Sequence, residues 1–215
     1  FFKQKTAYEI YQCDWSSDVC SSDLMGREIR YGDPVSRGVL MRFVALPLVG
    51  AFSIEVAARS DARGLFARTF DEAEFAAHGL PVRYPQCSTS FNVKRGTLRG
   101  LHFQDVPHEE AKVVRCTRGA VFDVIVDLRP TSATCRQWYG AELSADNRTG
   151  LFVPRGFAHG FQTLVDNSEV YYQIDTEYVM EASTGVRWND PSIGIRWPLD
   201  VAVMSARDAS LPLLS

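Results

Sequence analysis

The sequence predicts an all-β fold, an antiparallel barrel or jelly roll with a few short helices. From Met25 onward, short stretches rich in Val, Phe, Tyr and Leu alternate with Gly, Pro, Asn and Asp, which is typical of strands joined by turns. Turn signals recur at short intervals, and helical periodicity is scarce. Because helices would separate the strands of a parallel sheet, these two observations favour an antiparallel architecture.

One helix is expected in residues 69–81, TFDEAEFAAHGLP. Thr69 can cap its amino end, and Glu72, three residues later, completes a capping box. Gly79 and Pro81 end the helix, because glycine readily leaves the helical conformation and proline cannot continue it. Taken alone, Asp208 indicates the first turn of another short helix, capped by Ser205.

The clearest strand lies in residues 120–130. Its alternation places Asp123 and Asp127 on one face, on either side of Ile125, and apolar side chains on the other (Phe122, Val124, Val126, Leu128). One face of this strand therefore belongs to the core. Further strands are expected at residues 96–104, 111–116, 137–143, 150–153, 159–165 and 169–178.

The composition indicates one domain with a substantial core, because 46% of the 215 residues are hydrophobic, and it excludes a disordered chain. With 23 basic and 26 acidic residues, the chain lacks the positive field that nonspecific binding to nucleic acid or anionic membranes requires. No apolar run approaches the roughly 18 residues that cross a bilayer, so a cytoplasmic protein is expected. The five cysteines form no CxxC pair and are expected to be free thiols.

Residues 1–24 differ in texture from the rest of the chain. They are polar, rich in serine near their end, and without a sustained period of 2 or 3.6. They resemble a translated adapter or assembly artefact, and an ordinary flexible extension is the alternative. We therefore predict a non-native or disordered extension over residues 1–24 and a single folded domain over residues 25–215.

Three segments contain residues suited to chemistry. In KRGTLRGLHFQ (94–104), strict alternation would put Arg99 and His102 on opposite faces, but the neighbouring glycines allow a bulge or the close approach of a ligand. In FVPRGFAHGF (152–161), a Pro-x-Gly-x-x-His turn leads to His159. In SEVYYQIDTEYV (168–179), alternation projects Tyr172 and Tyr178 to the same side of an extended strand.

The first two segments resemble the paired motifs of cupin barrels, which place His-x-His and a later Glu on one strand pair and Pro-x-Gly-x-x-His on another. Here Gln104 stands where the second histidine would be. A metal site would have to use the remaining candidates (His102, His159, Glu109 or His108, Gln104). Because glutamine is a poor ligand for a tight transition-metal site, metal binding is not expected.

A longer series of motifs resembles the dTDP-4-dehydrorhamnose 3,5-epimerase family. It runs in order from about residue 63 to residue 214 and comprises LRGLHFQ (98–104), KVVRC (112–116), GAVFDV (119–124), DLR (127–129), LSADN (143–147), PRGFAHGF (154–161), WNDP (188–191) and IGIRWP (193–198). The resemblance implies a cupin-like jelly roll over residues 25–215 and a homodimer. It also implies epimerisation of a nucleotide-linked 4-keto-6-deoxyhexose without a metal or an organic cofactor.

The residues fit this chemistry. A ketone at C4 makes the protons on C3 and C5 acidic, so inversion needs a base, a stabiliser of the enolate oxygen and an acid on the opposite face. His102 is the candidate base, and the resemblance gives Asp208 the role of orienting it. The resemblance also implies that Lys112 lies near the C4 oxygen and that Tyr172 is the acid. As isolated residues, Lys112 would indicate an ordinary strand-edge lysine and Tyr172 a half-buried strand aromatic, and only their positions in the family series favour the catalytic roles.

The resemblance implies binding residues as well. Arg99 and Arg63 match arginines near the diphosphate, and Arg63 would reach across the dimer. Arg207 could add charge there or be a solvated surface arginine. Tyr178 and Gln86 would lie toward the nucleotide, and His159 would hydrogen-bond near the sugar.

Several departures from the family pattern bear on the substrate. Residues 86–95 lack the usual opening of that segment, Arg68 stands where many members have glutamate, and residues 106–110 replace the usual loop before Lys112. An enzyme that inverts a single centre, a ketoisomerase, or an enzyme for another sugar nucleotide could keep every catalytic residue. A binding module without turnover, or a metal-binding cupin, is the alternative from another class.

Overall fold

The computed structural model describes residues 41–214, where short apolar stretches form strands separated by turns. The strands are β1 (Met41–Ala45), β2 (Phe52–Val56), β3 (Arg59–Asp61), β4 (Gly64–Phe66), β5 (Gln86–Asn92), β6 (Leu98–Gln104), β7 (Lys112–Arg118), β8 (Ala120–Asp127), β9 (Trp138–Ser144), β10 (Gly150–Val153), β11 (Phe157–Thr163), β12 (Ser168–Ile174) and β13 (Ser183–Gly185). The helices are α1 (Glu72–Ala77) and α2 (Ala206–Ala209), and a 3₁₀ turn spans Met180–Ala182.

The strands of the described region form two main sheets and a separate hairpin. One sheet has the order β1-β2-β10-β7-β12-β5, and the other has the order β13-β6-β11-β8-β9. Strands β3 and β4 pair only with each other. Pairing between the named strands is antiparallel, and most spatial neighbours are distant in sequence, as a jelly roll requires.

The inner core lies between the two sheets. Val114 of β7 and Leu151 of β10 enter it from the six-stranded sheet. Ile125 of β8 and Phe161 of β11 enter it from the five-stranded sheet. Because apolar side chains from both sheets share one buried cluster, the sheets enclose a common interior, and polar groups on the same faces line that interior.

The outer face of each sheet is also covered. On the six-stranded sheet, Ile54 and Val113 belong to a cluster with Phe75 of α1. On the five-stranded sheet, Val124 and Val126 of β8 share a cluster with side chains of the C-terminal segment (Val186, Ile193, Trp197, Leu214). Strand β8 is therefore buried on both faces, whereas its alternation alone identifies only one core face.

Helix α1 forms as predicted, but its cap differs. Asp71, rather than Thr69, is the N-cap residue, and its side chain accepts hydrogen bonds from the amides of Ala73 and Glu74. The capping box expected from Thr69 and Glu72 is therefore wrong. Both Thr69 and Asp71 are good caps, and the shorter helix uses the nearer one, whose carboxylate also suits the positive end of the helix. Gly79 follows the helix with φ of +69°, as expected.

Strand β6 contains the bulge that its glycines allow. Arg99 pairs with Phe161 and His102 pairs with His159, so three steps on β6 match two steps on β11. Because His159 and Phe161 point to the same face, the extra residue brings Arg99 and His102 to one face. Gly100 has φ of +113°, and a Cβ atom there would lie 2.7 Å from the Cα of Gly160, so only glycine fits without displacement.

The predicted all-β, cupin-like class is confirmed for the described residues. The strands lie close to the predicted ranges, except that β12 ends at Ile174 and does not continue to Tyr178. Cys87, Cys116 and Cys135 are free thiols. Within residues 41–214, no helix is long and apolar enough to span a membrane. The predictions for residues 1–24, including Cys13 and Cys20, lie outside the described residues.

Candidate active site

Strand β6 and helix α2 bring His102 and Asp208 together, 106 residues apart in sequence. Ser205 caps α2 by accepting from the amide of Asp208, as predicted, and this single turn holds the Asp208 side chain at 6% exposure. Asp208 Oδ1 lies 2.8 Å from His102 Nε2, and Oδ2 accepts from the Gly100 amide at 3.1 Å. Because a carboxylate can only accept, the hydrogen belongs on Nε2, and Nδ1 is left with a lone pair.

Burial sets the protonation state of His102. Desolvation lowers the pKa of His102 below its usual value, Asp208 opposes this effect, and the cations Lys112 and Arg207 reinforce it. The imidazole is therefore neutral at pH 7. Its side chain keeps 38% of its surface exposed. A neutral, accessible imidazole with a free nitrogen is suited to accept a proton.

A second His–Asp pair lies beside the first. His159 pairs with His102 across β11 and β6, and its Nε2 lies 2.9 Å from an oxygen of Asp123 on β8. Both side chains are buried. The ring of Tyr172 on β12 meets the His159 ring edge to face, with 5.9 Å between centroids. Tyr172 therefore lies across the interior from His102, on the opposite sheet.

Tyr172 is held in its protonated form. Burial raises its pKa well above the usual range, the Asp123 carboxylate raises it further, and Arg99 opposes both. A phenol in this environment keeps its hydrogen at neutral pH and is available as a proton donor.

Lys112 begins β7 and forms an ion pair inside the barrel. Its Nζ lies 2.7 Å from Glu110 Oε1, and the two side chains are only 11% and 10% exposed. Lys112 alternates with Val113, which packs outward, so it points inward with Val114. It is also close enough to His102 to influence that imidazole.

The predicted arginines lie in three different environments. Arg99 donates from Nε to Asn92 on β5 at 2.7 Å and acts electrostatically on Tyr172. Arg207 of α2 donates to Ser183 and acts on His102. Arg63 lies on the turn between β3 and β4, with a side chain 88% exposed and an ion pair to Asp61.

Gln86 and Tyr178, both expected toward the nucleotide, meet at the end of β12. The Tyr178 amide donates to Gln86 Oε1 at 3.0 Å, and the Tyr178 side chain is exposed. The residues on either side of Tyr178 are bound by Gln104, which accepts from the Val179 amide and donates to the Glu177 carbonyl. Tyr178 is therefore anchored next to the residues of β6.

The candidates for a metal site are used otherwise. His102 and His159 each have an aspartate partner, and Gln104 hydrogen-bonds the chain at several points. Glu109 lies near Arg129. In the part of the chain that the structure describes, no three His, Cys, Asp or Glu side chains are grouped to hold a metal ion.

Three site residues escaped the sequence analysis. The sequence pattern gives Asp123 a strand face but no role, Glu110 a place in an unusual loop, and Asn92 a place in a segment that departs from the family pattern. The position of Asp123 beside Ile125 on a core strand was a usable signal, because a buried carboxylate needs a partner. For Glu110 the signal was its spacing of two from Lys112, which places both side chains on one face of an extended segment.

Together these side chains supply what inversion next to a carbonyl requires. A neutral imidazole lies on one sheet, a protonated phenol on the other, and an ammonium group lies near the imidazole. This set can remove a proton, stabilise an enolate oxygen and return a proton from another direction.

Comparison with known proteins agrees with this geometry. The family model described as dTDP-4-dehydrorhamnose 3,5-epimerase matches residues 45–215. A dTDP-4-dehydrorhamnose 3,5-epimerase of Methanothermobacter thermautotrophicus is 46% identical over 170 residues, covering 78% of this chain and 91% of the relative. A dTDP-4-dehydrorhamnose 3-epimerase of Streptomyces niveus is 39% identical over 176 residues, covering 81% and 84%.

Solved structures give the same result. The crystal structure of a dTDP-4-dehydrorhamnose 3,5-epimerase of Bacillus anthracis, with TDP and PPi bound, matches with a TM-score of 0.79 and 40% identity. The match covers 81% of this chain and 99% of that one. The chain therefore belongs to the dTDP-4-dehydrorhamnose 3,5-epimerase family of isomerases, as its motifs indicated.

Proposed function

We propose that the protein epimerises C3 and C5 of a dTDP-linked 4-keto-6-deoxyhexose, converting dTDP-4-dehydro-6-deoxyglucose to dTDP-4-dehydrorhamnose. The observation that supports this best is the arrangement of His102, Asp208, Lys112 and Tyr172 around one interior. Simple binding of a sugar nucleotide would not require a base, an acid and a cation together.

In this proposal, His102 is the base. Nδ1 removes the proton from a carbon next to the ketone, and the imidazolium that forms is stabilised by Asp208 at 2.8 Å. The electrons move onto the C4 oxygen, where the Lys112 ammonium stabilises the enolate. Tyr172 then gives its proton to the same carbon from the opposite face. The His102 imidazolium releases the abstracted proton to solvent, and the Tyr172 phenolate takes one up from solvent. The sequence repeats at the second carbon.

Substrate binding is assigned to the remaining predicted residues. Arg99 and Arg207 provide guanidinium groups for the diphosphate, because their planar forks match phosphate oxygens. His159 binds near the sugar, held by Asp123. Tyr178 offers a stacking face for the nucleobase, and Gln86 fixes the backbone of Tyr178. The proposal includes a cytoplasmic location, because a charged nucleotide sugar does not cross a bilayer unaided.

The direct test is proton NMR of the full chain in heavy water with dTDP-4-keto-6-deoxyglucose, following the C3 and C5 signals. Loss of both signals together with rhamno-configured product is expected, because each inversion exchanges one proton with solvent. The His102→Ala variant should lose both exchanges. An unchanged rate in that variant would contradict the proposed base.

A single-centre epimerase is the second candidate. The Streptomyces niveus relative, named a 3-epimerase, is 39% identical to this chain, so family membership is compatible with inversion at one carbon. The same experiment separates the two functions, because a 3-epimerase would exchange the C3 proton and leave the C5 signal intact.

We further propose that the protein is a homodimer and that Arg63 acts in the partner's site. Arg63 lies on an exposed hairpin with Leu65 and Phe66, whose side chains are 44% and 68% exposed. An exposed hairpin that carries two adjacent apolar side chains and an arginine at its turn is suited to cover a neighbouring subunit. The mass in solution should be that of two chains.

Complementation between variants tests the shared site. Arg63→Ala and His102→Ala should each have little activity alone. Refolded together, they should recover about a quarter of the wild-type sites, because half of the dimers contain one site with both residues intact. No recovery, with dimers present, would place Arg63 in its own subunit's site.

A further inference from the structure

Glu110 is the nearest acidic partner of Lys112, and the pair is enclosed. Nζ and Oε1 are 2.7 Å apart, and neither side chain exposes more than 11% of its surface. An ammonium group removed from water needs a compensating negative charge, because desolvation favours its neutral form. Glu110 supplies this negative charge for the enclosed ammonium group.

Gln104 fixes the carboxylate from its other side. Its Nε2 donates to Glu110 Oε2 at 3.1 Å, and its amide also binds the backbone at His108, Glu177 and Val179. Gln104 is 3% exposed and lies two residues after His102 on β6. The strand that presents the base thus also determines, through Gln104 and Glu110, where the Lys112 ammonium points.

We propose that Glu110, held by Gln104, is a positioning residue that keeps the Lys112 ammonium charged and directed toward the reacting oxygen. With one Nζ hydrogen donated to Glu110, the other two are available to the enolate. The assignment rests on the proposed function only for the identity of that oxygen. The ion pair and its effect on Lys112 can be tested without substrate.

Other charged groups near Lys112 are already engaged. His102 on β6 is neutral and paired with Asp208, and Arg207 of α2 donates to Ser183. Asp175, which follows β12 and accepts from the Ala111 amide, is paired with Arg155. Glu110 is the carboxylate paired with Lys112 among the described residues.

The first test measures the reactivity of the Lys112 amine, with Glu110→Gln as the variant. Amines react with acetic anhydride only when unprotonated, so peptide mass spectrometry across a pH series reports the charge on Lys112. Exposed Lys94 in the same chain is the internal reference. In Glu110→Gln, acetylation of Lys112 should begin about 1–3 pH units lower than in the wild type, and that of Lys94 should not move.

Glu109→Gln is the matched control, because it removes the same charge one residue away, from a side chain near Arg129. It should leave the Lys112 curve unchanged. Glu110→Asp keeps the charge and should restore most of the curve. If Glu110→Gln and the wild type gave the same curve, with equal melting temperatures, the assignment would be overturned.

The second test uses the epimerase reaction. In Glu110→Gln, kcat should fall about tenfold or more with little change in KM, and the alkaline limb of kcat/KM should move to lower pH. The acid limb should also move down, because an unneutralised Lys112 lowers the pKa of His102 further. If Glu110→Gln changed the acetylation of Lys112 but had a normal kcat, the catalytic part of the proposal would be contradicted. A wild type without turnover would contradict the proposed function and leave the labelling test valid.

Discussion

At the scale of single residues, burial shifts the pKa values of the two proton-transfer groups in opposite directions. It lowers the pKa of His102, so the imidazole is neutral, and it raises the pKa of Tyr172, so the phenol is protonated. Between these two values both groups are in the form that the reaction needs. Each has a carboxylate nearby, Asp208 for the imidazole and Asp123 for the phenol.

Asp208→Asn should reduce kcat by about 10²–10⁴-fold, because the neutral amide no longer stabilises the imidazolium or fixes its tautomer. Asp208 raises the pKa of His102, so its removal should also move the acid limb of kcat/KM to lower pH. A pH–rate profile checks both effects. Asp200→Asn changes an exposed aspartate and should leave the profile unaltered. An acid limb that moved upward would show that Asp208 does not stabilise the charged imidazole.

Tyr172→Phe should separate exchange from inversion. The base remains, so C3 and C5 protons should still exchange with heavy water, while epimerised product falls by about 10²–10⁴-fold. Tyr171→Phe is the control, because Tyr171 is the adjacent strand residue and interacts with Cys87 instead. NMR of substrate and product signals measures both rates. Equal losses of exchange and inversion would argue that Tyr172 only shapes the pocket.

At the scale of elements, β6 and α2 determine the site. The glycines predicted a bulge that could bring Arg99 and His102 together, and the register confirms it. Sequence periodicity could not predict the contact between Asp208 and His102, because a contact across 106 residues depends on the whole topology. Only the family resemblance suggested that pair. Glu110 precedes the first residue of β7, and its spacing of two from Lys112 indicates their pairing only if the strand geometry extends back to position 110.

Gly100→Ala should destabilise the protein by about 2–5 kcal/mol, because the new Cβ meets β11 at 2.7 Å and an L-residue resists this positive φ. Movement of β6 would also displace His102 from Asp208, so activity should fall with stability. Gly79 has φ of +69° with open space around it, so Gly79→Ala tests the cost of the positive φ alone. This substitution should lower the stability by about 1–2 kcal/mol. Urea unfolding measures both. Equal losses would mean that the approach of β6 to β11 is not tight.

At the scale of the whole molecule, Asp127 ties the two sheets together. It lies at the end of β8 and accepts from Arg129, Ser132 and Thr134. Arg129 and Thr134 also bind the backbone of Val49 in the connection between β1 and β2. Burial opposes the charge on Asp127, but these hydrogen bonds outweigh it and lower its pKa to about 2.

Asp127 should therefore make stability depend on pH. Its pKa is lower in the folded state, so its contribution of about 2 kcal/mol is complete above pH 4 and is lost as the pH falls toward about 2. Asp127→Asn should lower stability at pH 7 by at least this amount and flatten the dependence between pH 4 and 2. Urea unfolding across this range, with exposed Asp146→Asn as control, checks it. If the wild type were equally stable at pH 4 and at pH 2, the stabilising role of the Asp127 hydrogen bonds would be refuted.

The extra residue in β6 determines what the deletion of one codon would change in the site. A chain lacking codon 100 would place Arg99 and His102 two positions apart, and ordinary alternation would then direct both inward without any bulge. In the present chain the bulge at Gly100 produces the same facing from a spacing of three. What its loss would remove is one amide hydrogen, the donor to the second oxygen of Asp208. The main-chain amide of residue 100 is thus part of the site, and no substitution at position 100 other than proline can delete it.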